Sequence, residues 1–324
     1  MTRQEVEASA IQAEAGGPVP GWGWTETALS LMVLVWGVNY SVVKHALAQF
    51  DPLAFNALRF CVASVFVLLV MHAQGDLGRP ERRDVPRLIG LGLLGNVLYQ
   101  GCFVLGLART PAGSASLILA VSPVMTAMLS AATGHERPGW RTWGGAAVAI
   151  AGIALITGGG ITVRGSREIA GDLILVFAAF AWAAYTVSAR PMVRKYGAIR
   201  TTAWTMWTGA VGLVLVGSPA LARQDWSRVG RLDWAAMVFS ALFAIGLAYL
   251  IWYRGVEKIG NTRTAIFSNL SPVVAVAAAA VLLHERPSEW ALIGAALTLG
   301  GVMIVRSDPG HATPDAIMEA EAAD

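Results

Sequence analysis

Residues 122–138 read SPVMTAMLSAATGHERP, and residues 271–287 read SPVVAVAAAAVLLHERP. Ser122-Pro123-Val124 and Ser271-Pro272-Val273 stand 149 positions apart. His135-Glu136-Arg137-Pro138 and His284-Glu285-Arg286-Pro287 stand at the same offset. Two motifs sharing one offset point to an internal duplication. Working outward, Trp36 aligns with Trp182, Lys44 with Arg190 and Gly106 with Gly255, at offsets of 146 to 149.

The duplicated segments are apolar, and so is the rest of the chain. Of its 324 residues, 55% are hydrophobic and 14% charged, with a mean hydropathy of +0.56. Soluble domains carry about 25% charged residues, and a soluble chain this apolar would expose large adhesive patches. A membrane-crossing helix needs about 20 mostly apolar residues. Ten runs fit, at 27–47, 53–72, 88–108, 112–133, 139–158, 170–190, 199–218, 233–254, 264–283 and 287–306. The expectation is an all-α membrane protein of ten transmembrane helices. The net charge of +3 and pI near 9.1 come from scattered basic residues that form no stripe, which argues against nucleic acid as a partner. Cys61 and Cys102 fall inside apolar runs and read as packing residues.

Five runs fall in each half, at 27–158 and 170–306. Five is odd, so the second half enters the membrane from the opposite side. The expectation is two inverted five-helix repeats, a common plan for secondary transporters, with the solute site near the midplane between the halves. With the amino terminus inside, the inner segments hold 15 of the 24 Lys and Arg and the outer segments 8. This bias places both termini in the cytoplasm of a multi-pass bacterial inner membrane protein. Residues 1–26, with Glu5, Glu7, Glu14 and Glu26 against Arg3, lack the basic-then-apolar order of a signal peptide. They read as a disordered cytoplasmic tail, and the polar, acidic residues 307–324 as a second.

Trp36-Gly37 with Asn39, then Asp51-Pro52 followed by Arg59-Phe60, then Ser122-Pro123-Val124 ahead of His135-Glu136-Arg137 and the glycines from Gly144 to Gly152, form an ordered set. Its second half follows with Ser271-Pro272-Val273, Glu285 and Gly294 to Gly301. Over residues 28–306 this set resembles the drug/metabolite transporter superfamily, and within it the EamA-type ten-helix exporters. The resemblance implies transport of metabolites, often amino acids or drugs and often outward, with the fifth and tenth spans behind the others.

Polar residues inside a bilayer must be satisfied by protein, water or ligand. Mid-span candidates for touching a solute are Asn39 and Tyr40 in the first run, Asn96, Tyr99 and Gln100 in the third, and Trp182 and Tyr185 in the sixth. Tyr249 and Trp252 in the eighth and Asn269 in the ninth complete the set. Asn96 and Gln100, four apart, fall on one helix face. For the amides the alternative is plain helix–helix hydrogen bonding. Arg59 is the single charge well inside a run, about six residues from its outer end. Two readings stand: it snorkels to the outer headgroups, or it faces the cavity and attracts a carboxylate or phosphate.

No Asp or Glu lies mid-span; Asp172 and Glu257 are near ends, as are His45 and His72. With no relay for protons, exchange or downhill export is the expected mode. Pro123 and Pro272 are candidate hinges, or static kinks. Gly144, Gly145 and Gly152, with Gly294, Gly300 and Gly301, allow close helix contact, inside the chain or in a homodimer. Glu136 and Glu285 read as a cap or an ion-pair partner, not metal ligands. Without a nucleophile–base set, metal cluster or phosphate loop, no enzyme, cofactor or metal is expected. The partners are the bilayer and a small organic solute. A membrane enzyme acting on a lipid-like substrate, or a channel or sensor, is the competing reading.

Overall fold

The computed structural model describes residues 23–75, 78–133, 139–158, 165–259, 264, 267–268 and 270–306, without the side chains of 157, 158, 253, 256, 257, 259 and 306. Asn269, the 135–138 motif, residues 1–22 and residues 307–324 lie outside the described residues, while Trp24 to Glu26 of the expected first tail form the first turn of a helix. All regular structure among those residues is helical. The helices are α1 (Trp24–Ala46), α2 (Pro52–Ala73), α3 (Arg82–Leu107), α4 (Ala112–Ala132), α5 (Trp140–Gly158), α6 (Ser166–Tyr196) and α7 (Ala198–Arg223). Then come α8 (Arg231–Phe239, continuing through Ser240–Leu247 and Ala248–Ile259), α9 (Ser271–Leu282) and α10 (Glu289–Arg306). Seven helices are long and apolar enough to cross a membrane: α1 to α4, α6, α7 and Arg231–Trp252 of α8. The remaining three carry shorter apolar stretches. Large apolar side chains such as Leu31, Leu69, Leu215 and Val281 are exposed along the helices, as expected when the solvent is lipid.

Local chemistry sets the helix ends. Asp51 Oδ1 accepts from the amides of Leu53 and Ala54 at 2.9 and 3.4 Å, and Pro52 follows at the first helical position, so α2 starts there. Gly197, at φ +81, turns α6 directly into α7, a backbone state that suits glycine. His284 sits at φ 54 and turns the chain out of α9.

Three helices depart from the α-form inside their length. Leu93–Leu98 of α3 and Ser240–Leu247 of α8 are π-helical, at corresponding places in the two halves. In α4 the helix breaks at Ala120–Val121 and restarts at Ser122, and Ser271 starts α9 in the same way. Pro123 and Pro272 therefore stand in the first turn of a helix, where proline costs no backbone bond. The bend lies just before each proline rather than at it.

α5 and α10 cross with glycine against glycine. A Cβ on Gly145 would stand 2.7 Å from the Gly301 carbonyl, and one on Gly152 would stand 2.6 Å from the Gly294 carbonyl. This register makes the two helices antiparallel. The seam is internal to the chain, while Gly144 and Gly300 have open space beside them and take no part. The two largest of four apolar clusters fill the interior. One gathers Phe55, Phe103, Val104, Leu107, Ile118 and Leu175, and the other joins Phe60, Ala63 and Val67 to Met206, Leu213 and Ile245.

Candidate functional site

Arg59 lies between the two cores. It is the eighth residue of α2, about 10 Å along the helix from its start. Its side chain is only 1% exposed, so it does not snorkel. Nη2 donates to Asn56 Oδ1 at 2.6 Å and to Gln100 Oε1 at 2.8 Å, and Nη1 donates to Ser240 Oγ at 3.3 Å. The guanidinium carbon stands 5.5 to 5.7 Å from the ring centres of Phe55, Phe60 and Phe103, within cation–π range. Every acceptor is neutral, and among the described residues no carboxylate pairs with Arg59. Nε of Arg59 and Nδ2 of Asn56 are buried without a hydrogen-bond partner.

Phe103 connects this centre to a row of aromatic rings. Tyr40 meets it edge-on at 5.8 Å and Tyr99 lies 6.4 Å away. Tyr99 and Trp182 are 4.9 Å apart, and Trp182 and Tyr185 5.4 Å. The Tyr185 hydroxyl is 3.2 Å from Thr205 Oγ1. Asn96 donates to the Thr205 carbonyl at 2.9 Å, and so ties α3 to α7. Asn96 and Gln100 thus take different partners, Asn96 the Thr205 carbonyl and Gln100 the Arg59 guanidinium.

Of the remaining sequence candidates, Tyr249 adjoins the centre and Trp252 falls elsewhere. Trp252 packs on Trp36 at 5.7 Å beside Leu29 and Met32. Trp36 Nε1 donates to the Ala244 carbonyl inside the π-turn of α8 at 2.9 Å. Tyr249 packs on the second core, within electrostatic reach of Arg59, Tyr99 and Tyr185, and lines an apolar crevice with Val67, Thr202 and Met206. Asn39 Oδ1 is buried without a partner. Asn56 and Ser240 are absent from the sequence candidates. Asn56 is legible three positions before Arg59 on one helix face, whereas Ser240 is 181 positions away and carries no local signal.

A second charged group surrounds the turn between α3 and α4. Lys44 Nζ donates to the carbonyls of Leu107 and Thr110, both at 2.8 Å. Glu285 Oε1 and Oε2 accept from the amides of Ala112 and Gly113 at 2.8 and 3.1 Å. Glu285 is therefore a cap, and the helix it caps belongs to the other half of the chain. Thr110 donates to Asp172 Oδ1 at 2.9 Å, and Asp172 is fully buried. At the opposite end of the molecule Lys195 pairs with Glu81 and Asp84 at 2.7 and 2.6 Å. Its hydrogen bond holds the Glu81 carboxyl below the usual carboxylate range.

Comparison with known proteins agrees with this architecture. The EamA-like transporter family matches twice, over residues 23–158 and 169–307. The chain is 30% identical to the probable terminal-alkyne amino-acid exporter of Streptantibioticus cattleyicolor, over 86% of this chain and 92% of that protein. It is also 30% identical to the uncharacterized transporter YyaM of Bacillus subtilis, over 82% of this chain and 88% of that one. A solved crystal structure with 20% identity superposes with a TM-score of 0.60, covering 85% of this chain and 94% of its own, which speaks to the fold. The family and these relatives carry the names of transporters rather than enzymes. The repeated motifs, the apolar helices and the double match lead to one conclusion: the chain is a multi-pass membrane protein that belongs to the EamA-like transporter family.

Proposed function

We propose that the chain is a secondary transporter that exports a small organic metabolite by alternating access across a bacterial inner membrane. The observation that carries this reading is the Arg59 centre. A charge buried in an apolar helix bundle is costly and marks a functional site by default. Here α2 and α3 of the first half and α8 of the second hold it together, which is where repeat-built transporters keep their solutes. The solute-touching set is Arg59 with Tyr40, Tyr99, Gln100, Trp182, Tyr185 and Tyr249. Asn39, Asn96, Trp252 and Asn269 are outlying members.

Ten spans as two inverted repeats, 27–158 and 170–306, between cytoplasmic tails 1–26 and 307–324 complete the proposal. The contacts of α5 and α10 support the inversion. Shifting by the 149-residue offset turns Gly145 into Gly294 and Gly152 into Gly301. The contact of Gly145 with Gly301 then becomes the contact of Gly294 with Gly152, and both are present. Equivalent helices running antiparallel around such an exchange are what an inverted duplication requires. The paired breaks before Pro123 and Pro272 are the proposed hinges. Exchange or downhill export is the proposed mode.

Counterflow into proteoliposomes tests this reading. Purified protein should give saturable exchange of a small organic solute that Arg59→Ala strongly reduces. Non-saturable flux would make the protein a channel, and turnover of a lipid would make it an enzyme.

A further inference from the structure

The unsatisfied groups at the Arg59 centre share one polarity. Nε of Arg59 and Nδ2 of Asn56 are buried N–H donors with no acceptor. The acceptors already in place, Asn56 Oδ1, Gln100 Oε1 and Ser240 Oγ, are neutral. A buried donor without a partner costs about 1–3 kcal/mol, and more when it is charged. The group that relieves this state is acceptor-only and negative, and a carboxylate is both. The charge count is equally specific. Asp172 of α6 and Glu285 of the loop after α9 are engaged at the α3–α4 turn, on Thr110, Ala112 and Gly113. Among the described residues no carboxylate pairs with Arg59. The centre therefore carries one uncompensated positive charge, which a ligand of net charge −1 neutralises. A zwitterion brings its own ammonium into the same apolar surroundings. The buried unpartnered oxygens of α1 and α2, on Asn39, Ser41 and Ser64, are not among the groups bonded to Arg59, whereas an ammonium brings three N–H donors that each need an acceptor. The neighbouring surfaces are rings, namely Phe55, Phe60, Phe103, Tyr99 and Trp182, which suit an apolar or aromatic body.

We infer that the centre selects a singly charged organic carboxylate with an apolar body over both its neutral amide and the matching free amino acid. This rests on the transporter reading above for access, since Arg59 is closed to solvent in this conformation.

Hydrocinnamate, hydrocinnamide and phenylalanine share one skeleton and separate the possibilities on the unmodified protein. Counterflow in proteoliposomes and thermal unfolding in detergent are both read. Hydrocinnamate should be favoured by about tenfold or more over each of the others, as expected for a hydrogen-bonded charge pair. Arg59→Gln should erase the preference, and Arg59→Lys should keep part of it. Amide or phenylalanine performing as well as the acid overturns the inference, as does a folded wild-type protein that none of the three stabilises. The two readings fail differently. Carboxylate-selective stabilisation without counterflow sinks the transporter reading and keeps the inference. Saturable counterflow indifferent to ligand charge and to Arg59→Gln does the reverse.

Discussion

Two regions of the molecule hold cations away from bulk water, and they treat them differently. At the α3–α4 turn, Lys44 is half-buried and gives its hydrogen bonds to the carbonyls that end α3. Glu285 meets it there and takes the amides that begin α4. Each charge sits on the helix end whose dipole it complements, so both are satisfied by backbone. At the centre, Arg59 is more deeply buried, touches no helix end, leans on neutral side-chain oxygens and keeps an unpartnered Nε. A charge satisfied by backbone holds a turn together, whereas one satisfied by exchangeable side chains is available to a ligand.

Substitutions can break this comparison. Arg59→Ala should have the largest effect, a loss of transport of about tenfold to a hundredfold at retained folding, read by counterflow alongside thermal unfolding. If transport persists, the centre is structural and the contrast collapses. Glu285→Ala should act in the opposite sense. Removing the cap should lower stability by about 1–2 kcal/mol, visible as a lower unfolding temperature, with little change in transport per folded molecule. Gln100→Leu removes the 2.8 Å acceptor and should weaken transport by about threefold to tenfold. Ser240→Ala removes only the 3.3 Å contact and should cost about twofold or less. A Ser240→Ala effect equal to that of Gln100→Leu would mean that the second half contributes more to the site than its geometry suggests.

Much of this was legible before any coordinates. Arg59 is a lone charge in an apolar run, and hydropathy alone singles it out. Tyr99, Trp182 and Gln100 stand out for the same reason. The choice between snorkelling and burial was not legible, because it depends on whether acceptors wait inside, and Gln100 and Ser240 are 41 and 181 positions away. The π-turn at Leu93–Leu98 was not legible either, since apolar spacing does not distinguish it from an unbroken α-helix. Glu285 was readable as a cap, but its helix lies 172 positions back in the chain.

The sequence by itself determined the membrane address, the duplication and the identity of the buried charge. Composition and spacing are local properties, and a bilayer imposes them on every span independently. Only the tertiary structure decided which charges are satisfied, which glycines meet and where the helices break. Those outcomes depend on contacts between residues that are far apart in the chain and become neighbours only when the two halves pack together.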